Sequence, residues 1–560
     1  MPPTPPAQLP VPANFPVAWP RPGDEQLFWI QDAMHLPHPI TPLDATMIQP
    51  GFSEGASRAI ARMSMPISGL RSGIFNGYMY LAPIPVMGTP EEMAARMEEM
   101  IRITMELGAT VLRDWRETFE PQVVAECDAI LEFDYAGAST QELASFVAGF
   151  YDRMVNLWDI HMRVNIPPMN AVFGMEEFLG AVVGPDSVQQ SRLMLQGFDN
   201  KSVEMGKALW DLSRWVRSNA GLAAVVSAAT IAGGRVQVAG HPLAAEFLSR
   251  WQAFLDAYGW RSNRFLEIGY PSWREEQGTP HTQLKGFMAK PDSEDPFAAH
   301  RAQAAEREQL VAEMAARVPE PAVGQFRHML SLAQQYIPIA EDHNFSIDQK
   351  STTVIRHGVQ QLGARLVSEG VLESAEDVFY LRFDEIKSLA EGAGIPEVRS
   401  HVKERRAAQV RQGQIKPPPV MGTPPPADMP PDPLVSKFFG LAIDANWHGR
   451  TLKGLACSAG IVTGPAKVLL SLDDAWKLEA GDIMVCHSTM PAWTPLFGIA
   501  AAVVADAGGP LSHCAIVARE YRIPCVAGTQ VATQEIKDGM RLRVDGAAGT
   551  VELLDGRGTA

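Results

Sequence analysis

The stretch KPPPVMGTPPPADMPPDP, Lys416 to Pro433, constrains the fold more than any other part of the chain. Nine prolines in eighteen residues remove backbone donors and fix φ, so neither a helix nor a central strand can run through it. An extended, semi-rigid segment remains, which divides a long N-terminal portion from a short C-terminal one. The chain therefore reads as multidomain, with a linker over 413–445. Its 560 residues exceed what one core accommodates and fit roughly three or four domain-sized units.

Before the linker the texture is helical. In GTPEEMAARMEEMIRITMEL, Thr89 is an N-cap, Pro90 takes the first helical position and Glu92 completes a capping box. Met93, Met97, Met100, Ile101 and Met105 recur at helical spacing and read as a core-packing stripe. DPFAAHRAQAAEREQLVAEMAARV is a second long helix, and SIDQKSTTVIRHGVQQLGARLVSEG a third, ending at Gly370. AGLAAVVSAATIAGG, from Ala220, is too short and too rich in small residues to span a bilayer and reads as a buried helix. Little in residues 60–410 looks like sheet, and residues 1–22 read as a proline-rich tail without regular structure.

After the linker, short β-rich runs bounded by glycine alternate with one helix. LKGLACSAGIVTGPAKVLL, GDIMVCHS and GIAAAVVADAGG supply strands, and LRVDGAAGTVELL closes like a hairpin. Residues 446–556 thus form a small α/β unit, and residues 23–412 a large, mainly α-helical domain. A formal charge of −16 argues against a general nucleic-acid or anionic-membrane binder. Five scattered cysteines suit reduced thiols in a cytoplasmic protein, and the start of the chain shows no secretory signal.

GGPLSHCAIVAREYRIPCVAG, Gly508 to Gly528, holds the chemistry. A buried strand delivers the chain to Gly508-Gly509, where backbone can approach a ligand closely. Ser512 can cap the helix HCAIVARE, placing His513 in its first turn. The helix N-terminus offers amide donors for a phosphate and biases the imidazole toward its neutral, nucleophilic form. A neutral imidazole can accept a phosphoryl group and release it. Three other readings stand beside this one: a surface histidine at a helix start, a metal site with Cys514 and Cys525, and a hydrolase serine at Ser512. The spacing fits no usual zinc pattern, and no G-x-S-x-G surrounds the serine.

This stretch resembles the phosphohistidine swivelling domain of the PEP-utilising enzymes, the family that includes PEP synthase, pyruvate phosphate dikinase and rifampicin phosphotransferase. Gly454, Ser458, Gly460, Gly464 and Pro465 resemble that domain's opening motif, and Gly481-Asp482-Ile483 its next strand. Pro491, Trp493 and Pro495 resemble the segment before the central strand. Asp506 to Gly509, Ser512-His513, Ala518 to Glu520 and Ile523-Pro524 complete the likeness. The resemblance implies that His513 is phosphorylated, with Gly508, Gly509, Ser512 and Arg519 positioning the phosphate. Arg519 lies one helical face away, so a structural salt bridge is an equal reading. Cys514 stands where alanine is common and reads as a small packing residue.

No ATP-grasp signature is legible before this domain and no barrel after it. The expectation is that a separate ATP-grasp subunit charges His513 with ATP and Mg²⁺, no metal being held by this chain itself. HLPHPITPLD, LEIGYPSWREE and AEDVFYLRFDEI resemble the acceptor-binding domain of rifampicin phosphotransferase and the acceptor/phosphohistidine subunit of phenylphosphate synthase. In those motifs Trp273 and Tyr380 read as core aromatics, Glu267 and Glu275 as polar locks. IAEDHNFSIDQ groups Glu341, Asp342, His343 and Asp348. His343 or a neighbouring carboxylate could take the proton of a hydroxylated, aromatic acceptor; a helix N-terminal acidic cluster with a satisfied histidine is the structural alternative. The family's antibiotic-modifying branch carries Arg-Glu-x-x-Lys where this chain has Ala340, Glu341 and Asn344, which turns the expectation away from rifampicin. The expected activity is a phosphotransferase component. PEP synthase-like pyruvate chemistry and a non-catalytic phosphocarrier are the rivals.

Overall fold

The computed structural model describes residues 8–425, 447–448 and 450–554. Its contacts group into two compact units: 1–170 with 264–270 and 346–429, and 171–263 with 271–345 and 430–560. Residues 23–412 contribute to both.

In the first unit a four-stranded antiparallel sheet departs from the expectation of little sheet in residues 60–410. Ile67–Phe75 and Tyr78–Pro85 form a hairpin, and the order continues through Phe28–Gln31 to Val420–Gly422. The turn is Asn76-Gly77 with φ of 50° and 82°, the left-handed pair that a two-residue hairpin favours. Trp29, Phe75, Tyr78 and Tyr80 form the sheet's aromatic core, and Phe15 is completely buried among them. Residues 8–22 carry no helix or strand, yet they are packed down rather than free. Val420–Gly422, inside the proline-rich segment, pairs as an edge strand, where missing donors are tolerated. Residues 426–446 lie outside the described residues.

The helix Pro90–Asp114 begins with the expected Thr89–Glu92 capping box. The methionine stripe does not pack as expected. Met97, Ile101 and Met105 are 38%, 54% and 38% exposed, while Thr104, Gly108 and Val111 form the buried line. The helix turns a face of small residues inward because Ile103 and Leu107, half-buried against Ala59, Met63 and Ile166, already fill the contact. At Ala220 the expected buried helix is one of eight residues, Ala220–Ser227, burying Leu222 and Val226. Beyond it Gly233-Gly234 turns an exposed hairpin, Thr230–Ala232 with Arg235–Gln237.

The second unit joins helices to a nine-stranded sheet. Four neighbouring strands run parallel: Ile461–Leu469, Ile483–Cys486, Ala502–Ala505 and Cys525–Ala527. Antiparallel strands flank them on both sides. IMVC and AVVA are buried along their whole length, as parallel strands covered on both faces must be. Their side chains alternate between two cores. Ile483, Val485, Ala502 and Val504 face one with Ile536 and Leu542. Met484, Cys486, Val503 and Ala505 face the other, which continues into Trp210, Phe287 and Phe297 of the helices. The α/β part is thus docked on helices Lys201–Arg217 and Gly278–Ala289, and on Phe297 just before the helix Ala298–Arg317, through one apolar cluster. No helix among the described residues is long and apolar enough to cross a membrane.

Candidate functional site

Strand Ala502–Ala505 ends at Asp506, whose carboxylate accepts from Thr529 and from Thr533 N and Oγ1. That anchor fixes where the next turn leaves the sheet. Gly508 turns it with φ 101°, and a Cβ there would meet Ser512 Oγ at 2.8 Å. Ser512 occupies the N-cap position of the helix His513–Glu520, but its hydroxyl does not cap it. It donates to the Gly509 carbonyl at 2.7 Å, because the tight turn brings that acceptor closer than the helix amides. Arg519, a buried side chain, donates to the Pro510 and Cys457 carbonyls at 2.9 and 3.0 Å. It holds the turn through the backbone, not through an ion pair.

His513 emerges from this frame. Thr489 Oγ1 lies 3.0 Å from Nδ1 and Thr494 Oγ1 3.2 Å from Nε2. The hydroxyls serve both nitrogens of a neutral ring, one accepting from N–H and the other donating to a lone pair. Phe497 stands edge-on to the ring, with centroids 6.1 Å apart. Burial, reinforced by the Arg261 charge, lowers the imidazole to about 3. The neutral form expected from the helix end is therefore favoured, with desolvation as the main cause.

Facing Nε2 at 3.9 Å is Glu341 Oε2, beyond hydrogen-bond length. Glu341 is fully buried near the end of the helix Val323–His343, and Ser202 Oγ donates to it at 2.5 Å. Burial raises its carboxyl to about 7, against the opposing pull of Ser202 and Arg261. A carboxyl poised near neutrality beside a nucleophilic nitrogen is suited to take a proton from a third group bound there.

The other residues grouped in IAEDHNFSIDQ separate. This segment is the end of one helix running into the π-helical stretch Asn344–Ser351, not a helix N-terminus, so its side chains fan around the axis. Asp342 accepts from the Lys201 amide at 2.9 Å, beside the Asn200 cap of the next helix. The buried His343 ring is 2.5 Å from the Ile339 carbonyl, one turn back. Asp348, in the first unit, pairs with His161 Nδ1 at 2.9 Å. Of the four, Glu341 is placed against His513, at 3.9 Å. Of the expected locks, Glu275 accepts from Ser272 N and Oγ at 2.9 Å and Glu267 pairs with Arg264 at 3.2 Å. Trp273 is a core residue, while Tyr380 is half-buried and bonds Gln409 through its hydroxyl.

Four site residues escaped the reading of the sequence: Thr489, Thr494, Ser202 and Arg261. The threonines flank the motif residues Pro491 and Trp493, so their hydroxyls were a usable signal. Ser202 and Arg261 come from a helix start and a loop with no periodic pattern.

Residues 478–549 match the mobile domain of the PEP-utilising enzymes. The chain's helical portion resembles rifampicin phosphotransferase, whose fourth domain matches residues 161–341. A rifampicin phosphotransferase of a Streptomyces species is 32% identical over 393 residues, 68% of this chain and 42% of that protein. A chondramide synthase of Chondromyces crocatus is 32% identical over 560 residues, 98% of this chain and 14% of that protein. An uncharacterized phosphotransferase of Bacillus subtilis is 24% identical over 533 residues, 94% of this chain and 62% of that protein. The chain spans less than two thirds of the length of each.

Proposed function

We propose that this chain is the carrier and acceptor component of a phosphohistidine phosphotransferase. A separate ATP-grasp protein, using ATP and Mg²⁺, phosphorylates His513 while the α/β part, residues 446–556, is swung away on the 413–445 linker. Docking then returns the phosphoryl group to the helical part, where a small hydroxylated, aromatic acceptor receives it.

The observation that carries this reading is the 3.9 Å approach of His513 Nε2 to the buried Glu341 carboxylate. In the transfer, the Nε2–P bond breaks and an acceptor O–P bond forms. The acceptor proton passes to Glu341, and the bonding pair returns to Nε2, leaving a neutral imidazole with its Nδ1 proton held toward Thr489. Such transfer depends on positioning and charge neutralisation more than on covalent chemistry. Phe497, edge-on to the imidazole, gives the site an apolar wall, which supports an aromatic acceptor.

The test is to incubate the chain with a candidate ATP-grasp partner, labelled ATP and a panel of phenols. Label should appear on His513 and move to a phenol, and His513→Gln should abolish both. Undiminished turnover in His513→Gln would overturn the reading. Label that reaches His513 and never leaves would replace it with a non-catalytic carrier.

A further inference from the structure

Arg261 is a fully buried side chain with no carboxylate partner within ion-pair distance among the described residues. Its nearest acceptors are the Tyr258 and Lys201 carbonyls, at 3.4 and 3.2 Å. Its Nε–H has none. The guanidinium lies 4.4 Å over the Phe345 ring. A buried cation left in this state is costly, and proteins ordinarily pair it with an anion.

Its position indicates which anion. Lys201, whose carbonyl it touches, precedes Ser202, the donor to Glu341; Phe345, which it covers, lies one turn after Glu341. The two elements that hold Glu341 against His513 therefore also hold Arg261. Its charge bears on both Glu341 and His513. Glu341 is a poor permanent counter-ion, since burial keeps it protonated up to about neutrality and Ser202 occupies one of its oxygens.

The geometry points to Arg261 as the residue that receives the phosphoryl oxygens of phospho-His513 when the α/β part is docked. This rests on His513 as the carrier. The guanidinium offers a forked set of donors matched to phosphoryl oxygens, and a dianionic group supplies the missing counter-charge. Arg261 would then stabilise the docked phosphoryl group and the charge that spreads over its oxygens during transfer. It is also a reason for the charged carrier to prefer this position over solvent.

The experiment uses the full chain and phosphoramidate as phosphoryl donor, the donor's P–N bond breaking and ammonia leaving as the Nε2–P bond forms. The phosphohistidine resonance is then titrated by ³¹P NMR. In the native chain the phosphoryl group should be more acidic than in a phosphohistidine peptide by about tenfold or more in proton affinity, one pH unit being tenfold. Arg261→Gln should erase the difference, and Arg261→Lys should restore part of it. A native chain that titrates like the peptide overturns the assignment, whether or not the variants fold. So does Arg261→Gln that melts normally and titrates like the native chain. His513→Gln separates the two claims. A resonance that persists in that variant, or no resonance in any form, sinks the carrier reading and this inference together. A His513-dependent resonance with no acidic shift sinks the role of Arg261 alone.

Discussion

The imidazole of His300 joins two carboxylates: Nδ1 lies 2.8 Å from Glu520 Oε2 and Nε2 2.9 Å from Asp199 Oδ1. Glu520 ends the helix that begins with His513, so the contact pins that helix to the helix Ala298–Arg317. The Gly197 amide also donates to Glu520, and Gln303 donates to the carbonyls of Arg519 and Glu520. The His513 helix is held at its far end by a polar clamp and faces Glu341 at its near end.

That clamp should make the stability of the contact pH-dependent. Burial opposes the His300 charge, as does Lys207, but Glu520 and then Asp199 outweigh them and the ring titrates above its ordinary value. A raised histidine contributes stability fully below the unfolded value near 6.5 and loses it as pH rises through the folded value. The melting temperature should therefore fall on going from pH 6 to pH 8.5. His300→Gln should flatten that slope and cost about 2 kcal/mol at pH 6, the scale of a charge-assisted hydrogen bond. Calorimetry of both forms across that range is the check; parallel slopes would count against the clamp.

Glu341 adds a pH dependence of the same sign, at a cost in stability. Burial holds its carboxyl at about 7, so between about 4.5 and 7 the folded chain keeps a proton that the unfolded chain has lost. Stability from this group falls as pH rises through that window. Glu341→Gln carries no such charge and should gain on the native chain with rising pH, on the order of 3 kcal/mol by pH 8. The same change should slow transfer from phospho-His513 to a phenol about 10²–10⁴-fold and remove the rise in rate as pH passes 7. A variant that loses stability at pH 8 while keeping its rate would remove Glu341 from the mechanism.

Where the sequence was legible, local physics and tertiary structure agreed. The capping box at Thr89 forms, the αL glycine at Gly370 stops its helix, and the apolar runs IMVC and AVVA become buried parallel strands. His513 could be singled out because glycine turn, helix start and histidine fall within six residues. Glu341 was visible only as one of four candidates, since spacing along a helix does not say which neighbour each face meets. Arg261 and Ser202 were invisible, because a site built from a loop and a helix start leaves no periodic trace. The Met97–Met105 stripe misled for a related reason: amphipathic spacing identifies a face, and packing decides whether that face turns inward.

The missed hairpin was readable in ISGLRSGIF-NG-YMYLAPIP, where Asn-Gly separates two β-prone runs. Gly77 adopts φ 82°, and a Cβ there would meet Gln412 Oε1 at 2.6 Å and Pro39 Cβ at 2.9 Å. Gly77→Ala should therefore destabilise by about 1–3 kcal/mol, through both the left-handed backbone and the contact. Asn76→Gly, which relaxes φ 50° at a non-glycine residue, should be close to neutral. Urea unfolding of the pair distinguishes turn chemistry from simple loss of side-chain contacts.

Docking itself can be tested by a wedge. The helix Gly278–Ala289 approaches the α/β part at Gly286, where an added Cβ would stand 2.2 Å from Ile499 Cδ1. On the other side of the contact, a Cβ on Gly498 would stand 2.6 Å from the Phe287 ring. Glycine on both surfaces lets the apolar cluster close, and neither position has a positive φ to explain it. Valine at Gly286 is compatible with a helix at modest cost, so Gly286→Val should leave helical content intact while forcing the α/β part away. In the proposed scheme an ATP-grasp partner charges His513 with the part swung out, so charging should persist or quicken. Delivery to a phenol needs Glu341 within reach of Nε2 and should fall by at least as much as in Glu341→Gln. If charging fell and delivery survived, the docked arrangement would be the charging state, and Glu341 would face the donor instead of the acceptor.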